Sequence, residues 1–381
     1  MTALLENINV SWSAEALRSE GMVHSVHDLD AKWLGKLLSS DGRDAKIDGM
    51  DLQEIGMGLM GSTYRVLLNY ASDPGDLPRS LVFKMTGEGP ISRRLGRIGY
   101  GLEGKPGFYG GEVRFYAQVL PHIEITAPKL YASWISDDEE EFSLLLADID
   151  DANAGDELTG CTFEQARDAV INVAGLHAPF WNSPILEQPG WLQRPRHDWA
   201  DTLQESISRA HKRFHERQAS VCTPEQVAIV DKFVPLYAQW FLAENENMAL
   251  THNDYRLDNL LFRPDGSSVA VDWQSFTTAH SGRDLGLFLG CSVPIEIRRH
   301  HLDELLEAYR LKMVELGVSD YTLSDVYRDF RLGLFLGIQN VIIGMNAVTL
   351  TERGHKMFMH KLELCTAAIS DLNALEALED L

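Results

Sequence analysis

The sequence is poor in basic residues and in cysteine, and each shortage argues against a class of protein. Lys plus Arg number 34 against 56 Asp plus Glu in 381 residues, which gives a formal net charge of −22. This balance argues against a protein that binds nucleic acid through its phosphates. The cysteines are Cys161, Cys222, Cys291 and Cys365. They form no Cys-x-x-Cys pair, so reduced thiols and a cytoplasmic location are expected.

Long uninterrupted apolar runs are also missing. The first residues show no basic segment followed by an apolar one, so no secretory signal is expected. The most apolar long stretch, residues 332–350, contains Gln339, Asn340, Asn346 and three glycines. It therefore favours a buried helix over a membrane span, and no membrane insertion is expected. The length is sufficient for two lobes, and no long linker or internal repeat separates them.

The chain is organised around residues 250–274, which contain the frame His252-x-Asp254-x-x-x-x-Asn259 followed by Asp272. Residues 264–266 (Pro-Asp-Gly) indicate a turn between two short apolar runs, so a hairpin is predicted. Such a hairpin would bring Asp254, Asn259 and Asp272 close together at one end.

Two carboxylates and an amide offer hard oxygen ligands and one possible base. Oxygen ligands of this kind suit Mg²⁺ held together with substrate phosphates. The same arrangement serves phosphoryl transfer, in which one Asp orients the acceptor while an Asn and a second Asp hold metal. A lone Asp or Asn in a turn is usually a cap or a solvated residue. The complete frame between two apolar strands favours the functional interpretation.

A glycine-rich segment lies in the N-terminal part. Gly56, Gly58 and Gly61 form a G-x-G-x-x-G pattern. In a dinucleotide-binding fold a helix would begin here. Ser62 and the residues after it favour a strand instead. A hairpin lying over nucleotide phosphates and a plain hairpin with turn glycines both remain open.

Two charged residues further along the chain could complete a nucleotide site. Lys84 lies at the end of the apolar strand 81–85, from which a lysine could reach phosphates under the hairpin. Residues 86–107 are rich in Gly and Arg and predict a loop. Glu112 is expected on a helix over 108–120. There it could pair with Lys84 or be an ordinary first-turn acid favoured by the helix dipole.

Residues 125–149 predict a strand, an acidic turn and a second strand. The run 137–141 (Asp-Asp-Glu-Glu-Glu) is expected to be a solvated hairpin tip. The second strand would lead out of the small lobe. An adenine could bind along its exposed backbone groups between Leu146 and Asp148.

The C-terminal part predicts a helix over 163–177 and amphipathic helices from residue 302 onward. The aromatic segment between His177 and Trp199 could pack in the core or line an acceptor pocket. His211 and His215 lie four residues apart, but without a third ligand a solvated helix face is expected. Asp284 is a candidate helix cap that could also brace the central loop.

In this order the motifs resemble the aminoglycoside phosphotransferase and choline kinase superfamily, relatives of the protein kinases. The stretch 252–262 and the run 175–181 (Gly-Leu-His-Ala-Pro-Phe-Trp) look closest to bacterial phosphotransferases grouped with ecdysteroid-kinase-like proteins. The resemblance implies an α+β, bilobal, protein-kinase-like fold. Residues 1–149 would form the nucleotide-binding lobe, with an antiparallel sheet and one main helix. Residues 150–381 would form a larger, mostly helical lobe for catalysis and acceptor binding.

The resemblance also implies site residues and the cofactors ATP and Mg²⁺. Asp254 would be the catalytic base, Arg256 could touch the γ-phosphate, and Asn259 and Asp272 would ligate Mg²⁺. The nucleotide-binding residues implied are Gly56, Gly58, Gly61, Ser62, Lys84, Glu112, Leu146 and Asp148. Lys84, steered by Glu112, would hold the α- and β-phosphates.

The expected activity is transfer of the γ-phosphate of ATP to a hydroxyl or amine of a small molecule. The aromatic segment favours a bulky, partly apolar alcohol, whereas the acidic balance favours a cationic aminoglycoside or amino alcohol. Two competing hypotheses about the protein also stay open. One is a catalytically inactive nucleotide-binding protein of the same fold. The second is a dinucleotide-dependent oxidoreductase, which requires a helix directly after Gly61.

Overall fold

The computed structural model describes residues 14–39, 45–57, 60–87, 90–187, 192, 194–242, 247–347 and 351–381. Gly58, one of the predicted nucleotide-binding residues, lies outside these ranges. Within them, no helix combines the length and the apolar character that crossing a membrane requires.

The N-terminal lobe is built on a five-stranded antiparallel sheet. Its strands are β1 (Ile47–Met57), β2 (Gly61–Tyr70), β3 (Ser80–Thr86), β4 (Leu130–Ile135) and β5 (Phe142–Ala147), in the spatial order β1-β2-β3-β5-β4. Strands β1 and β2 form the predicted glycine-rich hairpin. Because a strand begins at Gly61, the helix that a dinucleotide-binding fold needs is absent there, and the oxidoreductase hypothesis is wrong.

Strand β3 shows how the alternating pattern positions the site. Leu81 and Phe83 are fully buried on one face, in a core shared with Leu34 of helix α1 (Ala31–Leu38). Because successive side chains of a strand point to opposite faces, Lys84 projects from the other face. Asp30 caps the start of helix α1, because its side chain accepts a hydrogen bond from Trp33 N at 2.7 Å.

The loop predicted over residues 86–107 is partly wrong, because it contains helix α2 (Pro90–Ile98). Helix α3 (Phe108–Arg114) follows and continues into a π-helical turn, Phe115–Val119. The glycines lower the local preference for a helix in this segment, although arginine is itself a good helix former. Here the arginines of α2 find acidic partners on another element, and these contacts are visible only in the folded chain.

Those partners are the acidic residues between β4 and β5, so the predicted solvated tip is wrong for three of its five members. Arg93 of α2 pairs with Glu141, and Arg97 lies 3.3 Å from Glu140. Arg114, at the end of α3 and fully buried, pairs with Glu139 at 2.6 Å. Since both helices bring basic groups to the tip, the charge run ties the sheet to them.

The C-terminal lobe is mostly helical around one large core. Its longer helices are α4 (Phe163–His177), α5 (His197–Arg217), α6 (Pro224–Phe233), α7 (Tyr237–Leu242), α8 (Gly282–Cys291), α9 (Ile295–Glu315), α10 (Leu323–Gly333), α11 (Phe335–Ala347), α12 (Glu352–Asp371) and α13 (Ala374–Glu379). Helix α4 matches its prediction and begins with a capping box between Thr162 and Gln165.

Short strands hold the central motif of the C-terminal lobe. They are β6 (Asn153–Ala154), β7 (Met248–Thr251), β8 (Leu260–Phe262), β9 (Ser268–Ala270) and β10 (Thr277–His280). Strand β8 pairs with β6 and β9, and β7 pairs with β10. The predicted α+β bilobal fold is therefore confirmed. The division of the lobes after residue 149 stays a prediction.

Candidate active site

The predicted central hairpin forms from β8 and β9 and carries the candidate catalytic residues at one end. Gly266, at φ +89°, lies in the turn between the strands. Asn259 Nδ2 donates to the backbone oxygen and to Oδ2 of Asp254, both at 2.9 Å. Val271 N donates to Asn259 O at 3.0 Å, which places Asp272 beside this pair. The structure therefore brings Asp254, Asn259 and Asp272 to one end of the hairpin.

Lys84 and Glu112 meet Asp272 between the lobes. Lys84 Nζ donates to Asp272 Oδ1 at 2.7 Å and to Glu112 Oε1 at 2.8 Å. Trp273 N also donates to Glu112 Oε1, at 3.2 Å. The Glu112 side chain is buried, with 1% exposure, and lies beyond the first turn of α3. Its pairing with Lys84, rather than a role as a first-turn acid, explains its position.

The backbone at Asp272 aims this side chain at Lys84. Its φ of +65° and ψ of 70° lie in the left-handed region, where aspartate is found more often than most residues. Trp273 turns the other way and stacks on Phe115 of the N-terminal lobe, with ring centroids 3.6 Å apart. Strain of this kind costs about 1–3 kcal/mol and persists only where surrounding contacts fix it. The salt bridge and the ring stack provide such contacts.

The three ionisable groups act on one another. Burial lowers the pKa of Lys84, but Asp272 and Glu112 outweigh burial and raise that pKa above its ordinary value. Burial raises the pKa of Glu112, which Lys84 offsets only in part. Burial also opposes ionisation of Asp272, yet Lys84 holds the pKa of Asp272 below its ordinary value. The site therefore keeps a charged lysine beside an ionised carboxylate that is 42% exposed to the cleft.

The oxygen atoms at this end of the hairpin fit Mg²⁺. The amide nitrogen of Asn259 donates both of its hydrogen bonds to Asp254, which leaves the Asn259 Oδ1 available for a cation. Asp272 accepts the Lys84 hydrogen bond through Oδ1, which leaves its Oδ2 available for the same cation. Mg²⁺ is commonly held by one or two such protein oxygens together with water and substrate phosphates. Asn259 and Asp272 are therefore suitable ligands for the expected ion.

Asp284 fixes the loop that carries Asp254. Its carboxylate is fully buried and accepts hydrogen bonds from His252 N and Asn253 N, both at 2.8 Å, through different oxygens. His177 Nε2 donates to the same carboxylate at 3.1 Å. Asn253 has a φ of +60°, so the backbone turns sharply before Asp254. Asp284 makes no hydrogen bond that caps helix α8, so the predicted cap is wrong. The prediction that Asp284 braces the central loop is confirmed by its contacts with His252 N and Asn253 N.

Arg256 lies across the candidate base. Its Nε donates to Asp254 Oδ2 at 3.2 Å, and its Nη1 donates to Asp258 Oδ2 at 2.8 Å. Burial lowers the pKa of Arg256, but the surrounding carboxylates outweigh it and raise that pKa. The guanidinium therefore stays charged and orients Asp254. Its contact with a γ-phosphate stays a prediction.

Glu157 also supports the loop that carries Asp254, and the sequence-based prediction did not include it. This residue is buried, and its Oε1 accepts hydrogen bonds from Leu257 N at 3.1 Å and from Ser292 Oγ at 2.7 Å. Its own backbone nitrogen donates to Asp258 Oδ1 at 3.0 Å. Glu157 comes from a loop far from residues 250–274 in sequence, so no local pattern indicates it. The one available signal was Asp258 inside the central motif.

The described residues of the glycine hairpin have different steric needs. A Cβ on Gly61 would lie 2.9 Å from Met85 O, so the close approach of β2 to β3 requires glycine there. A Cβ on Gly56 would meet only Thr63, at 4.0 Å, so packing does not require glycine at that position. Ser62 is buried and lies opposite Met85. Contacts of these residues with phosphates stay predictions.

The predicted adenine-binding residues lie at the exit of β5. Leu146 is buried inside the sheet, opposite Val82 on one side and Leu130 on the other. Exposed backbone groups at Leu146 are therefore a wrong expectation, because β5 is a central strand until Ala147. Asp148 lies beyond the strand, and its carboxylate accepts hydrogen bonds from Arg65 Nε and Ser80 Oγ, both at 2.6 Å. Adenine binding at Asp148 stays a prediction.

A largely apolar cavity opens to solvent beside Asn253, on the loop that carries Asp254, and the empty volume of about 500 Å³ there includes open solvent. Its apolar lining includes Leu102, Trp199, Leu203, Tyr237, Phe241 and Ile343. Among the described lining residues the charged side chains are Lys105 and Arg283, and both are basic. Phe180 of the predicted aromatic segment lies in the core, whereas Trp199 lines the cavity. The segment therefore supplies side chains to the core and to this cavity, and acceptor binding there stays a prediction.

Two basic side chains of this cavity rest on aromatic rings. Lys105 Nζ lies 5.1 Å from the ring centroid of Trp199 and donates to Thr277 Oγ1. The Arg283 guanidinium lies 4.7 Å from the ring centroid of Trp240. Burial lowers the pKa of Lys105 to about 7, and Arg283 adds to the effect. The cavity is thus apolar with a positive side.

The bilobal fold, with its paired Lys84–Glu112 and Asp254–Asn259 contacts, is a protein-kinase-like fold. Residues 59–318 match the ecdysteroid kinase-like family, and the chain belongs to it. Comparison with curated proteins gives no match.

Solved structures share the fold at low sequence identity. The choline kinase of Cryptosporidium parvum Iowa II aligns with 12% identity and a TM-score of 0.51, over 85% of this chain and 91% of that one. The ethanolamine kinase Pv091845 of Plasmodium vivax aligns with 13% identity and a TM-score of 0.50, over 87% and 85%.

Proposed function

We propose that the protein transfers the γ-phosphate of ATP to a hydroxyl of a small, partly apolar molecule. The observation that carries this proposal is the double contact of Lys84 with Glu112 and Asp272, at the same end of the hairpin as Asp254 and Asn259. A structural role alone does not call for a cation, an amide and three carboxylates gathered beside an open cleft. Phosphoryl transfer needs these groups, because its catalysis is mainly positioning and charge stabilisation.

Each residue has a defined task in this proposal. Lys84 holds the α- and β-phosphates, and Glu112 keeps its side chain extended toward them. Asn259 and Asp272 hold Mg²⁺, which together with ATP supplies charge neutralisation and the phosphoryl group. Asp254 orients the acceptor hydroxyl and takes up its proton. Asn259 Nδ2 and Arg256 Nε both donate to Asp254, so the carboxylate is fixed before the acceptor enters.

The acceptor we propose is a neutral or anionic alcohol with a bulky apolar part. The cavity beside Asn253 is lined by aromatic and aliphatic side chains, and its described charged residues are Lys105 and Arg283. A cationic acceptor about 5 Å from one such charge would meet a repulsion of about 3 kcal/mol at an effective dielectric constant of about 20. The net charge of −22 offers weaker compensation, because salt screens it beyond about 8 Å.

An ADP-release screen over hydroxylated apolar alcohols, their carboxylated analogues, amino alcohols and aminoglycosides tests the proposal. Asp254→Asn serves as the inactive variant. Its turnover should fall about 10²–10⁴-fold, the usual contribution of a positioned base, while its affinity for Mg·ATP stays within about twofold. Asp151→Asn is the matched control, because Asp151 is 58% exposed and pairs only loosely with Arg263.

The screen also separates the competing hypotheses. Turnover of amino alcohols or aminoglycosides in preference to apolar alcohols would overturn the acceptor class while leaving the phosphotransfer proposal intact. Nucleotide binding that does not depend on Mg²⁺, with no turnover of any acceptor, would favour the catalytically inactive protein. Unchanged turnover in Asp254→Asn would remove the proposed base.

A further inference from the structure

Three potential metal ligands converge on the surface of the C-terminal lobe, away from the candidate active site. His211 and His215 lie one turn apart on α5, and Asp231 lies on α6. Asp231 Oδ1 is 2.7 Å from His211 Nε2 and 2.7 Å from His215 Nε2, and the two ring nitrogens are 3.1 Å apart. The histidine pair is visible in the sequence, but the neighbouring helix supplies the third ligand. The helix face is partly exposed as predicted, and what the sequence did not indicate is the carboxylate that both histidines share.

The separations allow one ion to touch all three atoms. Atoms separated by 2.7, 2.7 and 3.1 Å lie on a circle of radius about 1.7 Å, so a single point about 2.0–2.1 Å from each exists. That is the distance Zn²⁺ keeps from imidazole nitrogen and carboxylate oxygen. The ligands lie to one side of that point, which leaves a fourth position open to water.

Hydrogen bonds alone would satisfy His211, His215 and Asp231 less well than a bound cation would. If both neutral imidazoles carry their proton on Nε2, both protons point at the same carboxylate oxygen and the two N–H groups face each other. If one ring carries its proton on Nδ1 instead, its Nε2 lone pair faces the carboxylate. A divalent cation at the centre uses the lone pairs of both rings and the charge of Asp231 together.

Both helices hold the ligands in place before any ion binds. Phe214, between the two histidines, is fully buried, so the outward face of α5 is fixed. Val230, next to Asp231, is also fully buried. Only modest side-chain adjustment is then needed on binding, which favours affinity.

We propose that His211, His215 and Asp231 bind one transition-metal ion of the Zn²⁺ class and thereby pin α5 to α6. Imidazole ligands select such ions over Mg²⁺, which prefers oxygen ligands. The site lies 12 residues along α5 from Trp199 of the acceptor cavity, which is about 18 Å of helix. The ion is therefore structural and takes no part in phosphoryl transfer.

Titration of tag-free, metal-free, full-length protein with Zn²⁺ and Co²⁺ in excess Mg²⁺ tests this proposal. We expect one ion per chain, a Co²⁺ spectrum of low coordination number with nitrogen ligands, and a rise in melting temperature on Zn²⁺ binding. The double variant His211→Gln/His215→Gln and the single variant Asp231→Asn should each weaken binding by more than about 100-fold, because even outer partners of metal ligands are worth about 10–100-fold.

The matched control is His300→Gln/His301→Gln, which removes an adjacent exposed pair on α9 that faces no shared carboxylate. It should bind Zn²⁺ as the unmodified protein does. Equal Zn²⁺ affinity in all variants, or no binding at micromolar Zn²⁺, would overturn the proposal. If the variants do not fold, X-ray absorption of the Zn²⁺-loaded unmodified protein decides. Two imidazole ligands support the site, and a shell without imidazole refutes it.

Discussion

Replacing Asp284 by asparagine tests whether its carboxylate holds the loop that carries Asp254. In the unmodified protein His252 N and Asn253 N donate to different oxygens of the Asp284 carboxylate, each at 2.8 Å, and His177 donates as well. An asparagine has one acceptor oxygen, so it can serve one of the two backbone groups. Its amide nitrogen then faces the other backbone N–H, donor against donor.

The expected loss of stability follows from this geometry. A hydrogen bond to a charged group contributes about 1.5–3 kcal/mol, and leaving a buried N–H without a partner costs about 1–3 kcal/mol. Asp284 is fully buried, so water cannot replace the lost contact without entering the core. We therefore expect Asp284→Asn to lower the free energy of unfolding by about 3–5 kcal/mol. Turnover should also fall, because Asn253 immediately precedes Asp254.

Urea unfolding at pH 7.5, followed by tryptophan fluorescence, measures this change, and Asp201→Asn on the exposed face of α5 is the control. The control should stay within about 0.5 kcal/mol of the unmodified protein. A change below about 1 kcal/mol in Asp284→Asn would show that the buried carboxylate does not hold the loop as described.

Two further predictions concern Lys105 and a glycine contact. In the unfolded chain Lys105 stays protonated up to about pH 10, whereas burial lowers its pKa in the folded protein to about 7. Keeping Lys105 charged in the folded protein therefore lowers the free energy of unfolding, fully below pH 7 and less as the pH rises. Between pH 6 and pH 9 the free energy of unfolding should therefore rise by roughly 2–3 kcal/mol more in the unmodified protein than in Lys105→Met, and an equal pH dependence in both proteins would contradict the shift. A Cβ on Gly333 would lie 1.7 Å from Gly282 O, so Gly333→Ala should push α10 away from α8 and lower the free energy of unfolding by more than about 3 kcal/mol. The control Gly49→Ala, with open space around the added Cβ, should change that free energy little. Chemical denaturation of both variants measures this, and equal midpoints would refute the close packing.

The local patterns of the chain were sufficient for several elements of the site. The turn at 264–266 between two apolar runs specifies the hairpin of β8 and β9 by short-range preferences alone. Alternating apolar residues give β3 its two faces and hence the direction of Lys84. The frame from His252 to Asp272 is contiguous, so its residues meet as soon as the hairpin forms. These features need little from the rest of the chain.

Contacts between distant segments could not be predicted in this way. Arg93 and Arg97 stabilise a helix in a segment that predicts a loop, because their acidic partners lie on the β4–β5 turn. Glu157 reaches the catalytic loop from a separate loop that has no pattern of its own.

The sequence by itself determined most of the elements, the frame from His252 to Asp272 and the family, since these depend on residue order and periodicity. Only the tertiary structure decided which charges are paired, that the cavity beside Asn253 has a basic side, and that Asp231 lies beside His211 and His215. The physical reason is that ion pairing, burial and metal ligation depend on distance in space, and helices or loops far apart in sequence set those distances only when they pack.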